Sequence, residues 1–340
     1  MKQGHVWIGV GISLALLVYL FSKVEYRELW RSLASANVPL LLAAALVISG
    51  SLVVRAWRWQ YLLKPVKQVR FSSSMAATSI GMMANMILPM RLGEIVRAVV
   101  LGHRERIDKS ATFATVVVDR LLDGFTLLFI LVTILLIAPL PVDQEWQRRL
   151  QWGGILFFLF YFAVFVLLFC LHRSPARVLQ GVRRLCSGLP TRWVDRLCRF
   201  LTSFSGGLQI LDRTEYLAQI IVTSLILWGL IGLYNFIIVL AFQLDLPWAV
   251  GFMLLVAQAA AVMIPSSPGF VGTHHAASVA CLLLWGVSSA AALSVAIVMH
   301  AIGYFLTIAI GAGYLWAVGL SMRDLGQLEQ EIPGTSSTTA

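Results

Sequence analysis

Charge is scarce in this sequence. Only 12% of the residues are Asp, Glu, Lys or Arg, whereas soluble domains carry about a quarter. Hydrophobic residues make up 59%, which excludes most soluble enzymes and favours an integral membrane protein. The Gly-x-x-x-x-Gly-Lys-Ser/Thr loop that binds nucleotide phosphates is missing. The four cysteines form no Cys-x-x-Cys pair, so we expect no disulfide, no metal site and no cofactor.

Long apolar runs are what the sequence has instead. A membrane-spanning helix takes about 20 apolar residues, and six runs reach or approach that length. They are 7–21, 39–54, 121–138, 153–171, 216–242 and 290–319. The predicted fold class is therefore all-α, a polytopic helical bundle in one membrane domain over residues 1–320. Residues 321–340 are polar, and we expect a disordered tail.

The formal net charge of +10 is concentrated in loops. Segment 172–215 holds eight arginines against three acids, which by the positive-inside rule makes it a cytoplasmic, amphipathic loop. Alternation from this loop places both termini in the cytoplasm. We therefore expect a protein of the cytoplasmic (inner) membrane, with no nucleic-acid partner.

Two segments are apolar but broken, 73–101 and 249–286. Pro89 and Gly93 interrupt the first, and Pro265 and Gly269 interrupt the second with the same spacing. Backbone N–H and C=O groups that lose their helical hydrogen bonds at a break are tolerated at membrane depth only where they are buried in protein or face water. The pattern predicts two re-entrant hairpins, and three spans between them would make the hairpins enter from opposite faces, as in an inverted repeat.

The first hairpin and its neighbours carry eight charged groups that sum to +2. They are Arg55, Arg58, Arg91, Glu94, Arg97, Asp119, Arg120 and Asp123. A charge inside a bilayer is costly without a partner or a wet cavity, and surplus arginine suits a phosphate. Two alternatives stay open. Arg55 and Arg58 could snorkel to the interface beside Trp57 and Trp59, and the cluster could be an ion-pair network, with Asp119 held by Arg120 or Arg97.

Polar residues around the second break are candidates for the same site. They are Ser266, Ser267, Gly269, Gly272, Thr273 and His275. The simpler interpretation is that the serines satisfy local backbone groups, and that His275 is a neutral bundle histidine with His300 as its partner. Asn235 and Gln258 are expected to form interhelical hydrogen bonds. Adjacent His274 and His275 point about 100° apart on a helix, a poor chelate.

Four ordered motifs, "RAWRWQYLL", "NMILPMRLGEIVRA", "VVVDRLLDG" and "IPSSPGFVGTHHAA", resemble the flippase-like membrane domain of lysylphosphatidylglycerol synthases and its stand-alone relatives. The resemblance covers roughly residues 5–320. The family pattern falls on Asn85, Pro89, Arg91, Gly93 and Glu94, on Asp119, Arg120 and Asp123, and on Pro268, Gly269 and Gly272. Two positions depart from the commonest form, since Phe270 replaces a frequent Gly and His275 a frequent Glu.

The resemblance implies movement of a lipid with an anionic or modified, phosphate-containing headgroup between leaflets. The soluble aminoacyl-transfer domain of the synthases is not expected here, since about twenty polar residues follow the last helix. We assign no catalytic residue. Two alternatives remain: a membrane-embedded enzyme of lipid or glycolipid modification, and an accessory subunit that binds such an enzyme.

Overall fold

The structure is a computed structural model that describes residues 4–88, 92–138, 143–185, 194–195, 198, 214–264 and 266–319. Across these ranges the chain forms twelve α-helices and no strand, which confirms the all-α class. The helices are α1 (Gly4–Ser22), α2 (Tyr26–Ala34), α3 (Val38–Leu63), α4 (Phe71–Ile87), α5 (Gly93–Glu105), α6 (Lys109–Ile137), α7 (Gln144–Arg173), α8 (Pro175–Leu185), α9 (Thr214–Ala241), α10 (Ala249–Ala261), α11 (Thr273–Leu284) and α12 (Ser289–Val318).

Capping side chains set where the long helices begin. The Asn37 side chain accepts a hydrogen bond from the Leu40 N–H at 3.2 Å ahead of α3. Asp108 does the same for the Ala111 N–H at 2.9 Å ahead of α6. Such caps satisfy N–H groups that have no partner inside the helix. Within the part of the chain that the structure describes, four helices, α3, α6, α9 and α12, are long and apolar enough to cross a membrane.

Helix α1 is joined to α2 through a bend of 91°, and the pair would add a fifth crossing if it is one span. The sequence analysis did not predict α2. Its Leu29 is buried, whereas Tyr26 and Trp30 are exposed. Aromatic rings at such positions are typical of a helix that lies at the membrane surface.

Helices α4 and α5 fold back on each other around the first break. The Asn85 side chain accepts a hydrogen bond from the Gly93 N–H at 2.9 Å. A Cβ atom on Gly81 would lie 2.7 Å from the Cβ of Arg97, so glycine is needed for the close approach. The hairpin therefore has the predicted helix–break–helix form. Residues 89–91 of the break lie outside the described residues.

Helices α10 and α11 form the second hairpin. Gln258 of α10 donates to the Ser278 hydroxyl of α11 at 3.1 Å, and Asn235 of α9 donates to Gln258 at 3.2 Å. The interhelical role expected of Asn235 and Gln258 is therefore confirmed. Between the arms a short 3-10 turn covers Pro268–Phe270.

The two hairpins pack at opposite ends of the same long helices. Ile220 near the start of α9 and Leu315 near the end of α12 belong to a core with α4 and α5. Ile238 near the end of α9 and Leu293 near the start of α12 belong to a second core with α10 and α11. This arrangement supports opposite entry of the hairpins, while their entry into a membrane and the inverted repeat stay predictions.

The tips of the hairpins meet between the two cores. A Cβ atom on Gly269 would lie 3.2 Å from the carbonyl oxygen of Met86, in the last turn of α4. Gly269 has φ of +72°, a backbone conformation that is strained for residues with a Cβ atom but not for glycine. The second tip therefore approaches the backbone of the first.

Candidate functional site

Two carboxylates of α6 form the centre of a buried ionic cluster. Asp119 and Asp123 lie one helical turn apart and so share a face. Both bind the same nitrogen of Arg58, Nη2, at 2.7 Å. The other terminal nitrogen of Arg58 donates to the Ser224 hydroxyl on α9 at 3.1 Å. Arg58 is fully buried. Its contacts with Asp119, Asp123 and Ser224 connect α3 to α6 and α9.

Arg97 joins the cluster from α5. Its Nη1 lies 2.8 Å from Asp119 Oδ2, and its guanidinium carbon lies 3.9 Å from the centre of the Trp59 ring. The Trp59 N–H in turn donates to Thr115 Oγ1 at 3.0 Å. Arg97 Nε and Nη2 are buried without a hydrogen-bond partner. Stacking on an aromatic face stabilises a guanidinium whose hydrogen bonds are incomplete.

Asp123 also binds groups from α3 and α9. Arg55 Nη1 lies 3.4 Å from Asp123 Oδ2, and the Trp228 N–H donates to Asp123 Oδ1 at 3.0 Å. The Arg55 guanidinium carbon lies 5.6 Å from the Trp228 ring. A buried carboxylate with this many donors is held in its charged form and in one place.

The cluster is open at one edge. The side chains of Arg120 and Glu94 are 29% and 17% exposed, and Arg120 Nη1 lies 3.5 Å from Glu94 Oε1. Arg120 Nη2 also contacts Asp119 and Asp123 at 3.2 and 3.1 Å. Glu94 accepts a hydrogen bond from the Asn85 amide at 3.4 Å. This edge therefore lies beside the first break.

The described cluster holds one more positive than negative charge. Four arginines face three carboxylates, namely Arg55, Arg58, Arg97 and Arg120 against Glu94, Asp119 and Asp123. The two pairings expected for Asp119, with Arg97 and with Arg120, are present. Arg91, the arginine for which a free role was predicted, lies outside the described residues. An anion at the open edge would balance the surplus.

One alternative that the sequence left open for α3 does not hold. Arg55 and Arg58 do not snorkel to a water interface, since both are buried and paired with aspartates. Trp59 is not an interfacial residue either, because it is fully buried beneath Arg97, whereas Trp57 is exposed. The reason is that α5, α6 and α9 converge on this turn of α3, and α6 supplies two carboxylates that composition alone does not reveal.

Around the second break, hydroxyl groups bind local backbone. Ser267 Oγ donates to the Val271 carbonyl at 3.1 Å, and Thr273 Oγ1 donates to the Phe270 carbonyl at 3.3 Å. The Ser267 N–H donates to the Ser13 hydroxyl of α1 at 2.9 Å. A Cβ on Gly9 would lie 2.8 Å from the Ser266 carbonyl oxygen. For Ser267 and Thr273 these contacts are the structural role that the sequence left open.

Histidines hold the glycines of the same break. His275 Nδ1 accepts a hydrogen bond from the Gly272 N–H at 3.3 Å, and His300 Nε2 lies 2.8 Å from the Gly269 carbonyl. The rings of His275 and His300 are 4.7 Å apart, so the expected partnership is present.

The structure brings the predicted site residues together as two groups, one at each tip. The first group is Asn85, Glu94, Arg97, Asp119, Arg120, Asp123, Arg55 and Arg58, and the second is Ser266, Ser267, Gly269, Gly272, Thr273 and His275. The groups approach where Gly269 meets Met86, and a shared ligand chamber stays a prediction. The sequence reasoning missed Ser224 and Trp228, although polar atoms one turn apart in an apolar helix were a usable signal.

Residues 6–311 match the family described as Lysylphosphatidylglycerol synthase TM region. A UPF0104 membrane protein of Methanothermobacter thermautotrophicus is 23% identical over 95% of this chain and 97% of its own length. A UPF0104 membrane protein of Pyrococcus horikoshii is 23% identical over 92% and 96%.

A longer relative is the glycosyltransferase AglD of Haloferax volcanii, 24% identical over 92% of this chain and 54% of its own length. The similarity therefore spans about half of that protein. The family match covers all four motifs and both hairpins. With its apolar spanning helices, the chain is an integral membrane protein and belongs to the family of lysylphosphatidylglycerol synthase transmembrane regions.

Proposed function

We propose that this protein moves a lipid with an anionic or modified, phosphate-containing headgroup between the leaflets of the cytoplasmic membrane. Both termini would face the cytoplasm. The family supports a membrane-lipid role, and the two broken hairpins support a transporter architecture, since broken helices that meet within a bundle build substrate sites in transporters.

The observation that carries the proposal is the open edge of the ionic cluster. Arg120 is the most exposed of the four described arginines, although its Nε is buried without a hydrogen-bond partner. In the sequence, Arg91 stands only a few residues before Glu94. A phosphate at this edge would take the surplus positive charge, and a guanidinium binds phosphate through two parallel hydrogen bonds.

A second candidate is a role in glycolipid modification, as an embedded enzyme or as an accessory subunit. The similarity to AglD, a glycosyltransferase, favours it. The two candidates differ in chemistry, because transport returns the lipid unchanged whereas modification alters the headgroup or needs a partner enzyme.

The test is leaflet exchange in liposomes that contain the purified protein and fluorescent lipids. Headgroups should include phosphatidylglycerol, phosphatidylethanolamine and a polyprenyl phosphate. For at least one phosphate lipid, we expect fluorescent molecules of the inner leaflet to reach the outer leaflet only when the protein is present. Mass spectrometry should show no new lipid product. A chemically altered lipid would favour the second candidate.

Variants locate the activity. We expect Arg91→Ala and Arg120→Gln to lower the exchange rate at least tenfold while inserting normally. The matched control is Arg183→Gln, because Arg183 is exposed and pairs with Asp195, which is not part of the cluster. Wild-type rates in folded Arg91→Ala and Arg120→Gln proteins would remove the open edge from the transport site.

A further inference from the structure

Three imidazoles gather behind the second tip. His274 and His275 come from the first turn of α11, and His300 comes from the middle of α12. Ring centres are 4.8 Å apart for His274 and His300, 4.7 Å for His275 and His300, and 6.1 Å for His274 and His275. The sequence analysis foresaw one pair, and the structure adds His274.

The imidazoles fix the backbone of the tip. His275 holds the Gly272 N–H and His300 holds the Gly269 carbonyl. Both glycines have positive φ, +93° and +72°. Gly269 is also the residue that meets the Met86 carbonyl at the first tip. The shape of the tip, and its contact with the other hairpin, therefore depend on these two hydrogen bonds.

One of the two bonds exists only while the imidazole is neutral. His275 Nδ1 accepts from an N–H, so it carries no proton itself. A proton added to Nδ1 would turn this acceptor into a donor facing another donor, and the cap on Gly272 would be lost. His274 Nδ1 is buried without a hydrogen-bond partner, which leaves a second acceptor position for a proton.

No described acidic or basic side chain forms an ion pair with these imidazoles, and no group of side chains among the described residues could hold a metal ion. The titratable neighbours are Tyr304 on α12, with its ring 5.6 Å from His300, and Tyr234 on α9, whose hydroxyl donates to the Met299 carbonyl. From α1 and α4 come Ser13 and Met86, which do not titrate.

The carboxylates of the ionic cluster are poor alternatives as proton carriers. Asp119 binds three arginines and Asp123 binds three. Protonating either would leave buried guanidinium groups unpaired, which is strongly disfavoured. Protonating a histidine breaks no ion pair, and imidazole is the side chain whose charge ordinarily changes between pH 5 and 8. Burial lowers the pKa of His275, so the proton is taken up at the acid end of this range.

We propose that His274, His275 and His300 form a proton-binding site that releases the second tip from the first when it is loaded. This inference rests on the proposed lipid transport, for which the proton would be the coupling ion. Loading breaks the His275–Gly272 hydrogen bond, residues 266–272 loosen, and Gly269 withdraws from Met86. Unloading restores the closed contact.

Hydrogen–deuterium exchange on the reconstituted full-length protein tests the proton site without a lipid substrate. After correction for the intrinsic pH dependence of exchange, we expect peptides over 266–276 to exchange at least tenfold faster at pH 5.5 than at pH 8. Peptides within α3 should show no change. In His275→Asn the amide oxygen can still accept from Gly272 but cannot be protonated, so the tip should stay protected at both pH values.

The control variant is His103→Asn, at the far end of α5, which should keep the wild-type pH response. His300→Gln is a second control, since its amide can still donate to the Gly269 carbonyl and His275 can still take up a proton, so the pH response should persist. A flat wild-type profile, or a full response in folded His275→Asn, overturns the proton site. If the pH response is present but no lipid moves at any pH, the proposed transport fails and the proton site stands.

Discussion

Asp119 is the residue on which the ionic cluster depends most, and Asp119→Asn tests this dependence. Arg58 would keep Asp123 at 2.7 Å, and Arg120 would keep Asp123 and Glu94. Arg97, in contrast, has Asp119 as its only carboxylate among the described contacts. The substitution therefore leaves one buried guanidinium uncompensated, which costs about 3–5 kcal/mol when a partner is removed from a buried pair.

The measurement is the free energy of unfolding in mixed micelles of mild detergent and dodecyl sulfate, followed by circular dichroism. The matched control is Asp195→Asn, whose carboxylate pairs with Arg183 in an exposed position, where a pair is worth about 0.2–1 kcal/mol. The double variant Arg97→Met with Asp119→Asn removes the orphaned charge and should recover most of the loss. If Asp119→Asn costs no more than Asp195→Asn, the reasoning about the cluster is refuted.

Two further substitutions test the hairpins by the same unfolding measurement. Gly93→Ala should destabilise the protein by about 1–3 kcal/mol, because a methyl group there would overlap the Gly81 carbonyl oxygen. The control Gly50→Ala, in an open helical position of α3, should stabilise it by about 0.5–1 kcal/mol. Equal effects of the two substitutions would argue against close packing of α4 on α5. Asn235→Ala should cost about 0.6–1.7 kcal/mol, since Gln258 loses a donor, and additive behaviour in a double variant with Gln258→Ala would contradict the coupling.

Helix positions followed from the sequence because the length of an apolar run is a local property. The runs 39–54, 121–138, 216–242 and 290–319 lie within or closely match α3, α6, α9 and α12. Proline and glycine likewise marked the breaks, since both act on the backbone where they stand. The bend that creates α2 was missed, because its polar, amphipathic sequence resembles a loop when only spans are sought.

The partners of the buried charges could not be read in the same way. Arg58 meets Ser224 across 166 residues, and Trp228 meets Asp123 across 105. Contacts of this kind depend on how helices pack, so composition predicted a cluster and its sign but not its pairing. Trp59 shows the same limit, since an interfacial tryptophan and a buried one beneath an arginine have the same local sequence.

The sharing of α3, α9 and α12 by both cores has a mechanical consequence. Each of these helices contributes residues to the core of the first hairpin at one end and to the core of the second hairpin at the other. A tilt of these helices about their midpoints would widen the opening at one end of the bundle and narrow the opening at the other end. In the proposed transport, the lipid would then have access to the bundle from the two sides of the bilayer in alternation, and no separate gate would be needed.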